Sequence, residues 1–338
     1  MAYRQYTNCT SVSNYFGKQY IQMLIAAALG ALPLLAGAAL GPGLLIIALS
    51  AIIAYCRWWL YDRLICLGGD VCAAGWVLTV EPPEEKSGLD AFDTDYSFNL
   101  VLPRHLVGAT QADVETDGIL GNLVKEQPDI ANAGLDFSGN LVQQFSNDPV
   151  TACLHCEFEG AGVYDLLIAC LAALGVAVAA AVVCAIPVFG WIACLVLSLI
   201  SATIAGIGII VALNDKGNPN DVNPNLGEIH TNDPTGRGAD MLVVKGTWVY
   251  DSAHTGWNEI HPIKHCQRIG TWEGNWAEIG DAKAWVDGWC SAIASASDPL
   301  TVANQDQPQN QWTIHPVIDG CDPRDGGQQE NNQAPVIK

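Results

Sequence analysis

Residues 166–214 read LLIACLAALGVAVAAAVVCAIPVFGWIACLVLSLISATIAGIGIIVALN, without one charged side chain. A helix crossing hydrocarbon needs about 20 apolar residues, so this block is long enough to cross twice. Pro187 and Gly190 interrupt it, which predicts helices near Leu166–Ile186 and Trp191–Leu213 joined by a tight turn. Residues 19–56 form a second uncharged block with Gly41-Pro42-Gly43 at its middle, predicting arms near Ile21–Leu40 and Leu44–Leu60, the first kinked at Pro33. Small residues four apart, Gly37 with Gly41 and Ala202 with Gly206, would let helix backbones approach closely. A wholly buried helical core in a soluble protein is the alternative, and charge-free runs of this length are rare outside membranes.

Outside these blocks the chain is acidic. The 338 residues carry 15 Lys and Arg against 35 Asp and Glu, a net charge of −20, and half are hydrophobic. That apolar share excludes a disordered chain, and the charge argues against a nucleic-acid partner, whose phosphates call for Lys and Arg. Basic residues gather early: Arg4, Lys18, Arg57 and Arg63 flank the first block and face only Asp62. The first block is far longer than the roughly 7–15 residues of a signal-peptide core and reads as retained. Two hairpins make an even number of spans, so the polar segments share one side. The positive-inside rule makes that side the cytoplasm and the membrane an inner or cytoplasmic one.

The polar segments read as β. Val71–Val80, Tyr96–Leu102, Cys153–Glu159, Met241–Tyr250 and Glu259–Cys266 show strand alternation or strand composition, separated by loops rich in Asp, Asn, Gly and Pro. A helix is predicted near Asp281–Ala296 and a strand-like piece at Gln311–Ile318 in a Gln- and Asn-rich tail. The chain thus divides into an N-terminal segment (1–20), a first hairpin (21–60), a first β region (61–162), a second hairpin (163–213), a linker (214–240), a second β region with its helix (241–300) and the tail (301–338). The expected class is an α+β membrane protein with a small antiparallel β-barrel or sheet. Three strands, a helical element and two strands follow the order of an OB-type barrel, here with the second hairpin in the helical slot. Two separate β units are the alternative.

Cys153 and Cys156 spell CxxC, but residues three apart on a strand face opposite ways, which weakens a redox or metal reading. Should the compartment be oxidising, Cys66 with Cys72 or Cys290 with Cys321 would be candidate pairs.

The most distinctive wording is MLVVKGTWVYDSAHTGWNEIHPIKHC at 241–266. Asp251, His254, Glu259 and His261 supply oxygen and imidazole donors within it, and Glu259 and His261, two apart, share a strand face. His155, Glu157 and Glu159 share a face of the third strand by the same rule. Where the two strands meet, a His/carboxylate cluster results that suits zinc or a harder divalent ion and, with an open position, water activation. The spacing matches neither HExxH nor HxH. The other reading is structural, with these side chains hydrogen-bonding a strand corner and Pro262 setting the turn, and that is the commoner role of a polar cluster. The pattern V-x-G-x-W-V-x-D-x-x-H-x-G-W-x-E-I-H-P resembles a group of uncharacterised bacterial proteins, some of them membrane-bound. The stretches CAAGWVLTVEPPEEKSGLDAFDTDYSFNLVL and LHCEFEGAGVYDLL look like companions from the same group. The resemblance implies a membrane location and no particular activity.

No GxGxxG, GxxxxGK[ST] or GxSxG is present, so a Gly-rich phosphate loop and a nucleophile elbow are unsupported. His265 and Cys266, adjacent on a strand, point apart. Trp257, and Trp285 with Trp289 on one face of the predicted helix, are candidates for partner contact or for core. Three functions fit: a membrane-anchored module that recruits a protein partner or a second copy, a metal-dependent membrane hydrolase, and a pore-forming or membrane-perturbing protein.

Overall fold

A computed structural model describes residues 40–61, 63–83, 93–103, 108–110, 112–113, 137–184, 186, 190–231, 236–252, 256–274, 281–295 and 315–316. Among these, helix α1 (Leu40–Tyr61) leads into the long strand β1 (Leu64–Glu81) and then β2 (Tyr96–Val101). A small hairpin of β3 (Leu141–Val142) and β4 (Thr151–Ala152) precedes β5 (Leu154–Phe158). Helices α2 (Gly162–Cys184) and α3 (Gly190–Ala212) follow, then the single turn α4 (Pro219–Val222). Strands β6 (Asp240–Asp251) and β7 (Trp257–Thr271), helix α5 (Ala282–Ser295) and the two-residue β8 (His315–Pro316) complete the order.

The main sheet has six strands in the order β2-β5-β7-β6-β1-β8, and β1 also pairs with β2, so five strands close a ring. β5 and β7 run parallel, as do β1 and β8, and every other pair in the ring is antiparallel. The sheet is therefore mixed and not the antiparallel one expected. A strand reached through the α2–α3 hairpin and a further strand re-enters beside β5 in the same direction, which a direct hairpin connection does not allow. Both β regions share this sheet, which answers the alternative of two separate units.

Closure of the ring depends on β1 bending from one partner to the other. Trp76 pairs with Met241 of β6 on one side and with Val101 of β2 on the other. The bend brings the β2 backbone onto Gly75, where a Cβ would strike the Val101 carbonyl oxygen. Gly246 plays the same part where the β6–β7 register shifts, against the Pro262 carbonyl. Pro262 lies inside β7 and sets no turn, contrary to the corner expected.

Alternation along the strands fills the ring. Leu154, Cys156 and Phe158 of β5 point into a core shared with Phe98, Leu100, Trp248 and Ile260, and α4 with its flank closes one end through Val222, Leu226 and Ile229. Buried Trp248 donates its indole N–H to Asn258 Oδ1. On the outer face α5 packs Val286 and Cys290 on Cys72, Ala74 and Val243, and a disulfide joins Cys72 to Cys290. That bond replaces both pairings expected of these cysteines, because α5 lies on β1. Trp285 and Trp289 pack with it against the same cluster.

Among the described residues, three helices are long and apolar enough to cross a membrane, over Gly43–Leu60, Gly162–Cys184 and Trp191–Ala212. The first arm of the expected first hairpin lies outside the described residues. Its second arm starts earlier than expected: Gly41-Pro42-Gly43 forms the first turn of α1, where the missing proline N–H costs nothing. α2 is the central helix, burying Val163, Leu166, Cys170, Ala173 and Ala177 in a helical stripe against α1 and α3. The close approach of α3 is made at Gly208, against Ala169, and at Ser201, whose hydroxyl donates to the Ala173 carbonyl at 2.7 Å. Ala202 lies exposed and Gly206 has open space where its Cβ would be, so that pair is not the contact expected of it. Helical period explains the difference, since 201 and 208 are seven apart, two turns on one face. The opposite side of α3 points outward, with Trp191 66% and Leu199 60% exposed.

Candidate functional site

The outer face of β5 and β7 is polar yet buried. His155 and Glu157 alternate with the core residues of β5, and the register places His155 opposite Glu259 and Cys156 opposite Ile260. The parallel pairing thus lines up His155, Glu157, Glu259 and His261 on one face. Glu157 sits at the centre. Its Oε1 lies 3.2 Å from His155 Nε2 and its Oε2 lies 2.5 Å from His261 Nδ1, which is also 3.4 Å from Glu259 Oε1. Trp257 stacks over His155 with ring centroids 4.1 Å apart, an aromatic lid on the imidazole.

Arg63 closes the other side. It follows the last turn of α1, donates its amide to the Trp58 carbonyl, and turns its guanidinium under the ring of Trp59. The guanidinium reaches Asp251 at 2.5 Å, Asp95 at 3.4 Å and Glu157 at 3.8 Å, and the residue is 2% exposed. Asp95 also accepts the Gly160 amide at 2.6 Å, which ties the approach to β2 to the entry of α2. The cluster therefore joins the foot of the helices to the ring. A cleft lined by Trp59, Arg63, Asp93, Asp95, Glu159 and His261, with other neighbours, lies at this junction.

Charge in the cluster follows from its neighbours. Burial opposes ionisation of Arg63, but Asp251, Asp93, Glu157 and Asp95 outweigh it and hold the guanidinium charged. Burial likewise works against the Glu157 carboxylate, and hydrogen bonds from His155 and His261 more than offset it, holding that carboxyl well below the usual range. His261 is raised well above its ordinary value, because Glu157 and Glu259 outweigh its burial. Glu259 goes the other way, pushed up to about 7 by burial and then by Glu157 and Asp251. Neither of its oxygens accepts a hydrogen bond among the described residues, and the side chain is 0% exposed. Two triads bring their donor atoms within 4.8 Å of one another: Asp95, Glu157 and His261, and His155, Glu157 and Glu259.

Of the residues singled out in the sequence, His155, Glu157, Glu259, His261 and Asp251 come together here. Glu159 lines the cleft, His254 lies outside the described residues, and Trp257 covers His155. The CxxC cysteines part as expected, Cys156 entering the ring core and Cys153 a separate cluster beside Trp76 and Trp272. No sequence motif points to Arg63, Asp95 or Asn99, which complete the cluster through Asp251, Glu157 and His155. The one signal for Arg63 is its position directly after an apolar block that leads into a strand. Comparison with family models, curated proteins and solved structures finds nothing that matches this chain.

Proposed function

We propose that this chain is a membrane-anchored binding and assembly module, an OB-type β-barrel standing on transmembrane helices. The apolar outer face of α2 and α3 carries the reading. Ile168, Leu171, Val182, Leu195, Leu199 and Ile210 all lie exposed on helices that otherwise pack only along one stripe, a surface suited to lipid. The order of the five ring strands supports the barrel: first with second, second with third, third parallel to fifth, fifth with fourth, and fourth back to first. All three helices meet the ring at one end. α1 ends just before β1, α2 begins just after β5, and the Ala212 carbonyl at the end of α3 lies against Gly162. A chain of net charge −20 held at a bilayer surface suits recruitment of a protein partner or a second copy, and disfavours nucleic acid.

The cysteine pairs bear on its side of the membrane. Cys72–Cys290 lies on the ring, and such a bond persists in an oxidising compartment. Arg63, one of four basic residues that favour the cytoplasm, spends its charge inside the cluster. We infer from the ring pair that the ring stands on the outer, oxidising face of the membrane, in place of the cytoplasmic side that the basic residues favour. Cys184–Cys194, at the far end of the hairpin, makes the opposite demand.

Extraction tests the anchoring. Membranes from expressing cells washed in alkaline carbonate should keep the chain in the pellet until detergent is added. A freely soluble monomer in the supernatant contradicts the reading. A metal-dependent hydrolase draws support from the cleft beside His261 and Asp95, and hydrolytic activity lost with His261→Ala would favour it. A pore gains no support from the exposed positions of α3, which offer no charged side chain to line a channel, and liposomes should not leak.

A further inference from the structure

The hydrogen bonds around His155 leave one interaction unaccounted for. Asn99 donates its Nδ2 to Thr79 Oγ1 at 2.8 Å, which turns Oδ1 toward His155 Nδ1 at 3.0 Å. Nδ1 must therefore carry the ring proton, and Nε2 is left facing Glu157 Oε1. In the neutral imidazole that nitrogen is a lone pair aimed at a carboxylate oxygen, a contact that a cation held between them would satisfy. Glu259 lies fully buried beside them, 3.4 Å from His261 Nδ1 and with no hydrogen bond to either oxygen among the described residues, and the same cation would satisfy it. Among the described residues of the cluster, Asp251, Asp93, Glu157 and Asp95 act on the Arg63 guanidinium, and Glu259 lies beside Glu157 and Asp251.

We propose that His155 Nε2, Glu157 and Glu259 hold one divalent transition-metal ion of the zinc class. The distances suit it. His155 Nε2 to Glu157 Oε1 is 3.2 Å, and the donor atoms of His155, Glu157 and Glu259 all lie within 4.8 Å of one another. Two ligands about 2.0–2.1 Å from one tetrahedral ion are separated by about 3.3 Å. Imidazole beside carboxylate favours zinc and its neighbours over magnesium, which keeps several waters and prefers oxygen alone. Asn99 supplies the outer support typical of a metal-bound histidine, fixing the tautomer through Nδ1. Trp257 covers the site, and the three protein donors leave a fourth position for water. One ion is accommodated and not two, because Arg63 already contacts both Asp95 and Glu157 of the other triad. This goes beyond the anchoring reading and does not depend on it.

The test uses the full chain purified in detergent, stripped with chelator and titrated with zinc or cobalt. Wild type should take up about one equivalent, and bound cobalt should show the visible d–d absorption of a tetrahedral N/O site. Glu259→Gln, which keeps the side-chain shape, and His155→Ala should abolish that absorption. Asn99→Ala, a positioning change, should weaken binding by about 10- to 100-fold. Should His155→Ala fail to fold, Glu259→Gln and Asn99→Ala decide the matter. Stripped wild type that takes up neither metal, or Glu259→Gln that binds with unchanged affinity, overturns the proposal.

Discussion

Arg63 and Asp251 meet at 2.5 Å across 188 residues of chain, joining the end of the first apolar helix to the last residue of β6. The contact is buried on both sides, and Asp95 and Glu157 lean on the same guanidinium. Removing it leaves several carboxylates without their permanent counter-charge in a water-poor seam. Arg63→Met should therefore destabilise the fold by about 3–5 kcal/mol, read as thermal unfolding in detergent. Arg63→Lys should rescue only part of this, because a point charge on a flexible stem does not replace a planar fork over Trp59. A variant as stable as wild type would show that the cluster does not hold ring and helices together.

Gly75 predicts the cost of blocking ring closure. Its missing side chain leaves room for the Val101 carbonyl, and backbone yields less readily than a flexible side chain. Gly75→Ala should cost about 1–3 kcal/mol or more as overpacking, and the loss should appear as lower folded yield and earlier unfolding. Gly175→Ala, in open space inside α2, is the control and should be neutral to slightly stabilising.

Two cysteine pairs report orientation because they lie at opposite ends of the helices. Cys72–Cys290 joins β1 to α5 on the ring, while Cys184–Cys194 joins the far ends of α2 and α3, about 33 Å away along a helix of 23 residues. A spanning hairpin exposes only one end to an oxidising compartment. Alkylation of unreduced cells followed by mass spectrometry should find Cys72 and Cys290 cross-linked, with Cys184 and Cys194 as thiols. The reverse pattern places the ring in the cytoplasm, as the basic residues alone suggest. Cys290→Ser should lower stability by about 2–4 kcal/mol in protein made with the bond intact.

Much of the fold is legible in the sequence because each face of a strand is read two residues at a time. β2, β5 and β6 lie where alternation places them, and the apolar blocks show two of the helices to within a few residues. β1 is longer than its alternation because Leu64–Asp70 carries no pattern: a bulge breaks its pairing with β6 between Cys66 and Asp70. β7 runs on through Pro262, a residue that ordinarily ends a strand, at a point where its register with β6 is already shifting. The face shared by His155, Glu157, Glu259 and His261 follows from period two alone once the strands are neighbours. Arg63 and Asp95 were hidden for the opposite reason. Their roles are set by contacts across 188 and 32 residues, which no local pattern encodes.

The bilayer as solvent for α2 and α3 is tested most directly by spin labels placed one at a time at Trp191, Leu199 and Ile210, all exposed along the outer side of α3. In reconstituted vesicles, collision with oxygen should peak at Leu199, near the middle of the helix, and collision with a water-soluble nickel chelate should be lowest there. Equal nickel access at all three positions, or a Leu199 label shielded from both reagents inside a compact monomer, would contradict an anchored ring.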